Sequence, residues 1–199
     1  MSVFKKIILS ACMLTCAAAF PLCTNAYASE LDSAAKLDIS QNVEGCYSDI
    51  ESLHQDGVRV YDTAGLLTQD ERENLNEILD RVCEDTGFDT AVFTANDISG
   101  YNSTADFADD IYDNSGFGTG DDRTGTILVM ETFDDGSAYI STAGEAVRYI
   151  TDEGINYIFD DIDGGSGVWT CFEDGEYYKA CMLYAQGIEE LYRKGIESG

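Results

Sequence analysis

The chain has 199 residues and a formal net charge of −27, from 38 acidic and 11 basic side chains. This charge argues against nucleic acids and anionic membrane surfaces as partners, because both are negatively charged and would be repelled. It is compatible with divalent cations, with cationic partner proteins, or with a strongly solvated acidic surface.

The first 28 residues have the pattern of a secretory signal peptide. Lys5 and Lys6 precede an uncharged apolar run at 7–20, and the small-x-small sequence at 26–28 is a cleavage site. The apolar run is shorter than the roughly 20 residues that cross a bilayer. We therefore predict an exported chain that starts at Ser29 and, without the two lysines, carries a net charge of −29.

The part after the signal peptide divides into a lead-in, a domain and a tail. Residues 29–57 are polar and weakly periodic, which indicates a lead-in segment. We place the folded domain at 58–195 and a short tail at 196–199. The single histidine, His54, falls in the lead-in, so no histidine base is expected.

The first half of the domain alternates strand and helix patterns. The predicted elements are a strand at Val58–Asp62, a helix from the capping box Thr68-Gln-Asp-Glu71 to Gly87, a strand at Phe88–Ala95, and a helix from Ser103 to Asn114. Each helix has an apolar face at helical spacing, which indicates that it packs on a sheet.

The second half starts with an acidic, glycine-rich loop at Asn114–Gly125. The predicted elements that follow are a buried strand at Thr126–Glu131, a hairpin turn, a strand at Ser137–Thr142, helical turns at Glu145–Ile150, a helix from Thr151-Asp152, a break at Asp163–Gly167, and a last helix capped by Asp174.

This order of elements predicts an α/β fold. We expect a single αβα-sandwich domain, a small mixed β-sheet with helices on both faces. In a right-handed βαβ unit the glycine-rich loop lies at the start of the buried strand, and the hairpin returns Thr142–Asp152 to the same end. Asp62 is expected at the opposite end of the sheet.

The acidic residues around the loop are candidate ligands of a hard divalent cation. Calcium takes 6 to 8 oxygen ligands from carboxylates, backbone carbonyls and water. Asp113, Asp121, Asp122 and Asp152 could supply them, with calcium as the first choice and magnesium or manganese as alternatives. These residues could equally be solvated surface acids, and Asp121 or Asp122 could pair with Arg123.

Hydrolytic chemistry has little support in the sequence. No cysteine precedes an arginine at phosphatase-loop spacing, and no Gly-x-Ser-x-Gly elbow is present. A metal-dependent phosphomonoesterase would need cationic groups beside the phosphate. Arg123 and Arg148 are the candidate phosphate-binding residues for that alternative.

Four cysteines remain after the signal peptide: Cys46, Cys83, Cys171 and Cys181. An even number in an exported chain permits two disulfides. We predict a bridge between Cys171 and Cys181, which would hold Trp169 against the last helix. Cys83 and Cys181 fall on apolar helix faces, where a free thiol would act as a small hydrophobic group.

Several segments together resemble the TPM-domain family over about Val58 to Leu191. They are Asp62-Thr-Ala-Gly-Leu-Leu-Thr68, the strand after Thr86-Gly87, Gly116-Phe-Gly118, Gly125-Thr-Ile-Leu-Val129, and Thr151-Asp152. The resemblance implies an exported or lumenal αβα domain, often tethered by a later membrane helix. It also implies a link to divalent-metal binding, weak acid phosphatase activity, or assembly of membrane complexes.

The resemblance adds Asp62 as a candidate metal ligand, whereas the residues themselves also allow it to brace the Ala64-Gly65 turn. Many family members have Gly-x-Gly-x-Glu before the Thr-Asp pair; here the aligned glutamate position is Val147, and Glu145 lies two residues away. We expect a non-catalytic metal-binding or protein-interaction module. The alternatives are the phosphatase and a structural domain without a ligand.

The expected location is extracellular or at the cell envelope, with tethering to the membrane if the native chain continues past Gly199. An envelope or membrane protein is the expected partner.

Overall fold

The computed structural model describes residues 53–133 and 136–198. In chain order its elements are β1 (Val60–Asp62), α1 (Gln69–Thr86), β2 (Asp89–Ala95), α2 (Thr104–Asn114), β3 (Gly125–Glu131), β4 (Ser137–Ala143), a 3-10 helix (Gly144–Arg148), α3 (Asp152–Asp160), α4 (Val168–Glu173) and α5 (Tyr177–Ser198). The predicted signal peptide lies outside the described residues.

The four strands form one mixed sheet in the order β1-β2-β3-β4. The first three strands are parallel, and β4 runs antiparallel to β3, with Gly125 opposite Ala143 and Glu131 opposite Ser137. Every residue of β2 and β3 is buried. A continuous apolar run such as that in β3 suits a strand with helices over both faces. The predicted mixed sheet is therefore confirmed.

Side chains that alternate along the strands form two separate cores. Val92, Leu128 and Ile140 pack on one face with apolar residues of α1, α3, α4 and α5. Phe93 and Val129 point to the other face and pack against α2. Alternate residues of a strand point to opposite faces, so one sheet divides the interior into two layers. This arrangement is the αβα sandwich that the sequence predicts.

The helix starts agree with the capping residues in the sequence. Thr68 accepts a hydrogen bond from the Glu71 amide, and the Glu71 carboxylate accepts one from the Thr68 amide, which is the predicted capping box. Ser103 and Thr151 cap α2 and α3 with their side chains alone, which accept from the amides of Asp106 and Gly154. Gly87 ends α1 at φ 75°, a conformation that costs glycine little.

The longest helix, α5, packs closely on the sheet and on α3. The Tyr184 hydroxyl donates to Thr126 Oγ1 across the core at 3.2 Å. Gly187 lies against Ile158, where an added Cβ would overlap the isoleucine side chain. Glycine at this position lets the two helices approach, so α5 closes one face of the sandwich.

The prediction that Asp174 caps the last helix was wrong. Asp174 is the C-cap of α4, a short helix that the sequence reading missed, and α5 begins only at Tyr177. The predicted break at 163–167 is present, with Gly167 as the N-cap of α4. A helix of one and a half turns has too few residues to show a clear period, which explains the miss.

Two stretches placed outside the domain are attached to it. Residues 53–57 pack against the body of the protein: the His54 amide donates to the Ser115 carbonyl at 3.0 Å, and the Gln55 amide donates to the Tyr61 hydroxyl at 3.1 Å. Residues 196–198, read as a tail, continue α5. Among the helices of the described part, none is long and apolar enough to span a bilayer.

Candidate functional site

The glycine-rich loop lies at the end of the sheet where β2 and β3 begin. Its tip is a small hairpin in which Thr119 and Thr124 pair through both of their backbone amides, at 3.0 and 2.9 Å. Gly118 and Gly120 have φ values of 98° and 68°, which other residues rarely adopt. The loop is therefore a defined turn that projects from the start of β3.

The loop meets the 3-10 helix, as the predicted topology requires. The Glu145 amide donates to Thr124 Oγ1 at 3.0 Å, and Gly144 lies so close to the Asp122 carbonyl that a Cβ would not fit. The carboxylates of Asp121, Asp122 and Glu145 are exposed on these touching segments. The prediction that the hairpin returns the chain to the loop is confirmed in this contact.

Arg123 joins the glycine-rich loop to the end of α2 through side-chain hydrogen bonds. Its guanidinium donates to the Tyr112 and Asp113 carbonyls at 2.5 Å each, and to the Phe117 carbonyl through Nε at 3.0 Å and Nη2 at 2.9 Å. The first two carbonyls belong to the last turn of α2, which has no intrahelical donor for them. Arg123 thus caps α2 and clamps the loop to it, and few of its N–H groups remain for a phosphate.

A buried carboxylate that the sequence reading missed, Asp89, lies beneath this loop. Its Oδ2 accepts from the Gly118 amide at 2.7 Å, and Arg59 Nη1 pairs with Oδ1. His54 Nε2, also buried, lies 3.4 Å from Oδ2. The signal available in the sequence was an aspartate inside the predicted strand at 88–95, where a buried charge needs partners.

Asp89 joins three segments that are far apart in the chain. Arg59 comes from the residue just before β1, His54 from the end of the lead-in, and Gly118 from the loop. Arg59 also donates through Nε to Asp80 Oδ1 of α1 at 2.9 Å. The cluster is therefore an electrostatic brace for the base of the loop, and it explains why residues 53–57 are held in place.

Asp62, the candidate taken from the family resemblance, is buried at the opposite end of the sheet. Its Oδ1 accepts from the Leu66 amide at 2.9 Å and the Thr94 hydroxyl at 2.6 Å. Its Oδ2 accepts from the Leu67 amide at 3.0 Å and from Arg72 Nη1 at 3.2 Å. Four donors occupy the positions a carboxylate offers, so Asp62 braces the turn after β1.

The other four predicted ligands are all exposed. Asp113 lies at the end of α2 with its Oδ1 4.0 Å from Arg123 Nη1. Asp121 and Asp122 are on the loop, and Asp152 is in the first turn of α3. Within 53–133 and 136–198, no three His, Cys, Asp or Glu side chains are grouped as ligands of one metal ion. The metal site at this end of the sheet stays a prediction.

The remaining predicted site residues are not joined to the loop cluster. Arg148 is exposed, and its Nη1 lies 3.8 Å from Glu145 Oε1. Cys171 in α4 and Cys181 in α5 are buried free thiols, so the structure has no bridge between them, contrary to the prediction. Burial raises the pKa of the Cys181 thiol. Both thiols act as small apolar groups of the core.

Burial also raises the pKa of two tyrosines beside the site. The pKa of Tyr61 is raised to about 12, and that of Tyr112 is raised further. The Tyr112 hydroxyl donates to the Arg123 carbonyl at 2.9 Å, and the Tyr61 hydroxyl donates to the Val58 carbonyl at 3.0 Å. Both phenols are therefore neutral hydrogen-bonding groups that hold the loop and the lead-in.

Comparison with known proteins agrees with this fold. The family model for the TPM domain matches residues 60–191, so the chain belongs to the TPM-domain family. It is similar to the solution NMR structure of the N-terminal domain of a protein from P. gingivalis, with a TM-score of 0.58 and 22% sequence identity over 71% of this chain and 87% of that chain. At this identity the likeness shows the fold alone. No curated protein matches the sequence.

Proposed function

We propose that this chain is an exported, non-catalytic TPM-domain module at the cell envelope that binds cations through the acidic end formed by the glycine-rich loop and the 3-10 helix. The observation that carries the proposal is the contact of these two segments. The two touching segments carry the exposed residues Asp121, Asp122 and Glu145 at one end of the sheet. Residues 1–28 supply the basis for export.

The donors at this end suit a hard divalent cation. Carboxylate oxygens are the ligands that calcium and magnesium prefer. Asp121 and Asp122 make no ion pair within the described residues, so their oxygens are accessible to an ion. Three backbone carbonyls near the loop are already occupied by Arg123. A bound cation would therefore keep several waters, and binding would be weak.

The phosphatase alternative is less well supported by the same contacts. Arg123, the cation nearest the loop, donates four hydrogen bonds to backbone carbonyls. His54 is packed against Asp89, and burial raises the pKa of the Cys83 and Cys181 thiols. A nucleophile or general base needs an accessible side chain in the reactive protonation state. These residues therefore favour a binding role.

Calorimetric titration of the chain from Ser29 to Gly199 with calcium, magnesium and manganese tests the proposal. Thermal unfolding at matched ionic strength supplies a second readout, because a ligand of the native state raises the unfolding temperature. We expect a calcium-dependent rise in wild type that is lost in the Asp121→Asn, Asp122→Asn double variant. The matched control is Glu77→Gln, Glu84→Gln, which removes the same charge from exposed positions on α1.

Three results would overturn the proposal. An undiminished calcium effect in the loop variant would show that the ion only screens the overall charge. Turnover of p-nitrophenyl phosphate near the roughly 10 per second of evolved enzymes, abolished by the loop substitutions, would make the protein a metal-dependent phosphatase. A domain without any ligand would show no heat of binding with all three ions.

A further inference from the structure

The strand β4 forms an open edge of the sheet. Within the residues that the structure describes, β4 pairs only with β3, so its outer row of N–H and C=O groups has no strand beside it. The other edge strand, β1, has three residues, whereas β4 has seven. An edge of this length presents a template for another extended chain.

Features that normally protect an edge are missing from β4. Its sequence, Ser137-Ala-Tyr-Ile-Ser-Thr-Ala143, contains no charged residue and no proline. Proteins usually place lysine, proline or a bulge on an exposed edge strand to prevent strand addition. The lack of any charge is notable in a chain in which one residue in four is charged. The uncharged, proline-free sequence of β4 therefore favours pairing with a further strand.

Acidic side chains flank this edge. Asp109, exposed on α2, accepts a hydrogen bond from Ser141 Oγ at 2.7 Å. Tyr139 is 36% exposed. Burial first, and then the charges of Asp109 and Asp152, raise the pKa of the Tyr139 hydroxyl, so both carboxylates lie within electrostatic range of it. Within the described residues, the edge thus combines backbone groups that have no strand beside them, an aromatic side chain and two carboxylates.

We propose that the β4 edge binds an extended, lysine- or arginine-rich segment of a partner protein, which adds to the sheet as a fifth strand. Backbone pairing along β4 would supply affinity, and side chains two residues apart on the added strand would meet the carboxylates. A seven-residue strand spans about 23 Å, which suits a peptide of similar length. The proposal names the partner class of the module proposed above, but it uses a different surface.

The acidic charge at the β4 edge favours a basic partner segment over a second copy of this chain and over residues 29–52. A second copy of the chain would bring another net charge of −27 to an edge already flanked by Asp109 and Asp152, which disfavours pairing. Residues 29–52 of this chain carry six acidic side chains and one lysine, so they are also poorly matched to the edge. A basic segment gains from the same field, which attracts cationic partners over long distances.

The test measures binding of labelled nine-residue peptides to the chain from Ser29 to Gly199 by fluorescence anisotropy. The probe alternates lysine and valine, and its controls are a glutamate–valine peptide and a lysine–valine peptide with N-methyl groups on alternate amides. N-methylation removes strand pairing and leaves the charge unchanged. We expect the lysine–valine peptide to bind, and the other two to bind at least tenfold more weakly.

Protein variants separate the edge from the loop. Asp109→Asn with Asp152→Asn keeps an oxygen for the Ser141 hydroxyl and removes both charges. We expect it to weaken peptide binding about threefold to tenfold, in line with two exposed ion pairs. Asp121→Asn with Asp122→Asn is the matched control and should leave peptide binding within about twofold. The bound peptide should slow amide hydrogen exchange in 137–143.

Two outcomes would overturn the proposal. Equal affinity for the N-methylated peptide, or exchange protection outside β4, would mean that a basic chain binds this acidic surface without strand pairing. Saturable binding of a second protein copy at the edge, seen as a dimer by sedimentation, would replace the partner with a homodimer. Calcium binding in the loop is measured separately, so failure here leaves the proposed cation site to its own test.

Discussion

At the residue scale, Arg123 and Arg148 were both candidate phosphate-binding residues in the sequence, but they have different roles in the fold. Arg123 has φ 51°, a conformation that disfavours a residue with a Cβ, and Arg148 is largely exposed. The strain at Arg123 is of the order of 1 kcal/mol and is offset by its four hydrogen bonds to carbonyls. Arg123 is thus primarily a structural residue of the loop.

Replacement of Arg123 by alanine should lower the free energy of unfolding by about 2 kcal/mol, because the last turn of α2 loses its donors. Arg123→Gly should be less destabilising than Arg123→Ala, since glycine accepts the positive φ. Urea unfolding measures both. Arg148→Ala is the control and should stay within about 0.5 kcal/mol of wild type. A stability of Arg123→Ala equal to that of Arg148→Ala would contradict the capping role.

At the element scale, α1, α2 and α3 begin where a side chain caps them, whereas the predicted cap of the last helix lies elsewhere. Thr68 and Glu71 satisfy the first amides of α1 reciprocally. Asp174 has a residue type that favours an N-cap, yet it lies at the C-terminal end of α4. A carboxylate there interacts unfavourably with the helix dipole. Residue type alone therefore does not decide whether a position caps the helix before it or after it.

Because Thr68 caps a helix start and Asp174 lies at a helix end, we expect their alanine substitutions to affect stability differently. Thr68→Ala should cost about 1 kcal/mol of stability, because the Glu71 amide loses its acceptor. Asp174→Ala should be neutral within about 0.5 kcal/mol or slightly stabilising. Chemical denaturation with an unchanged m-value is the measurement. A loss of 1 kcal/mol or more for Asp174→Ala would mean that it supports α5 after all.

At the scale of the whole molecule, the two cores contain tyrosines whose hydroxyl groups are buried and hydrogen-bonded. Burial raises the pKa of Tyr61 to about 12 and places that of Tyr184 well above its ordinary value. The unfolded chain releases these protons near pH 10, where the folded protein retains them. Their contribution to stability is therefore complete below about pH 10 and is lost as the pH rises toward the folded pKa.

We expect the free energy of unfolding to fall between about pH 10 and 12. Each buried tyrosine that keeps its proton contributes a slope of about 1.4 kcal/mol per pH unit. Urea unfolding at pH 9, 10 and 11, with tyrosinate absorbance followed in parallel, measures the effect. In Tyr61→Phe the free energy of unfolding should fall less steeply with pH, because the variant lacks one tyrosine that releases its proton on unfolding. A slope unchanged by this substitution would assign the alkaline loss to other groups.

Much of the fold follows from the sequence alone, because the signals are local. The apolar run at 127–130 predicts a strand buried on both faces, and the turn before Ser137 predicts its antiparallel neighbour. Capping residues and helical spacing place α1, α2 and α3. The order of strands and helices then restricts the topology to an αβα sandwich, in which the glycine-rich loop and the 3-10 helix share one end.

The partners of the charged residues were decided only by the tertiary structure. Nothing local to Asp89 indicates that Arg59, His54 and Gly118 meet it, because they come from separate segments. Arg123 could have faced a phosphate, a carboxylate or the carbonyls it binds, and the end of α2 selects the carbonyls. Hydrophobic period and capping chemistry are local properties, whereas the satisfaction of a buried charge depends on which segments the folded chain brings together.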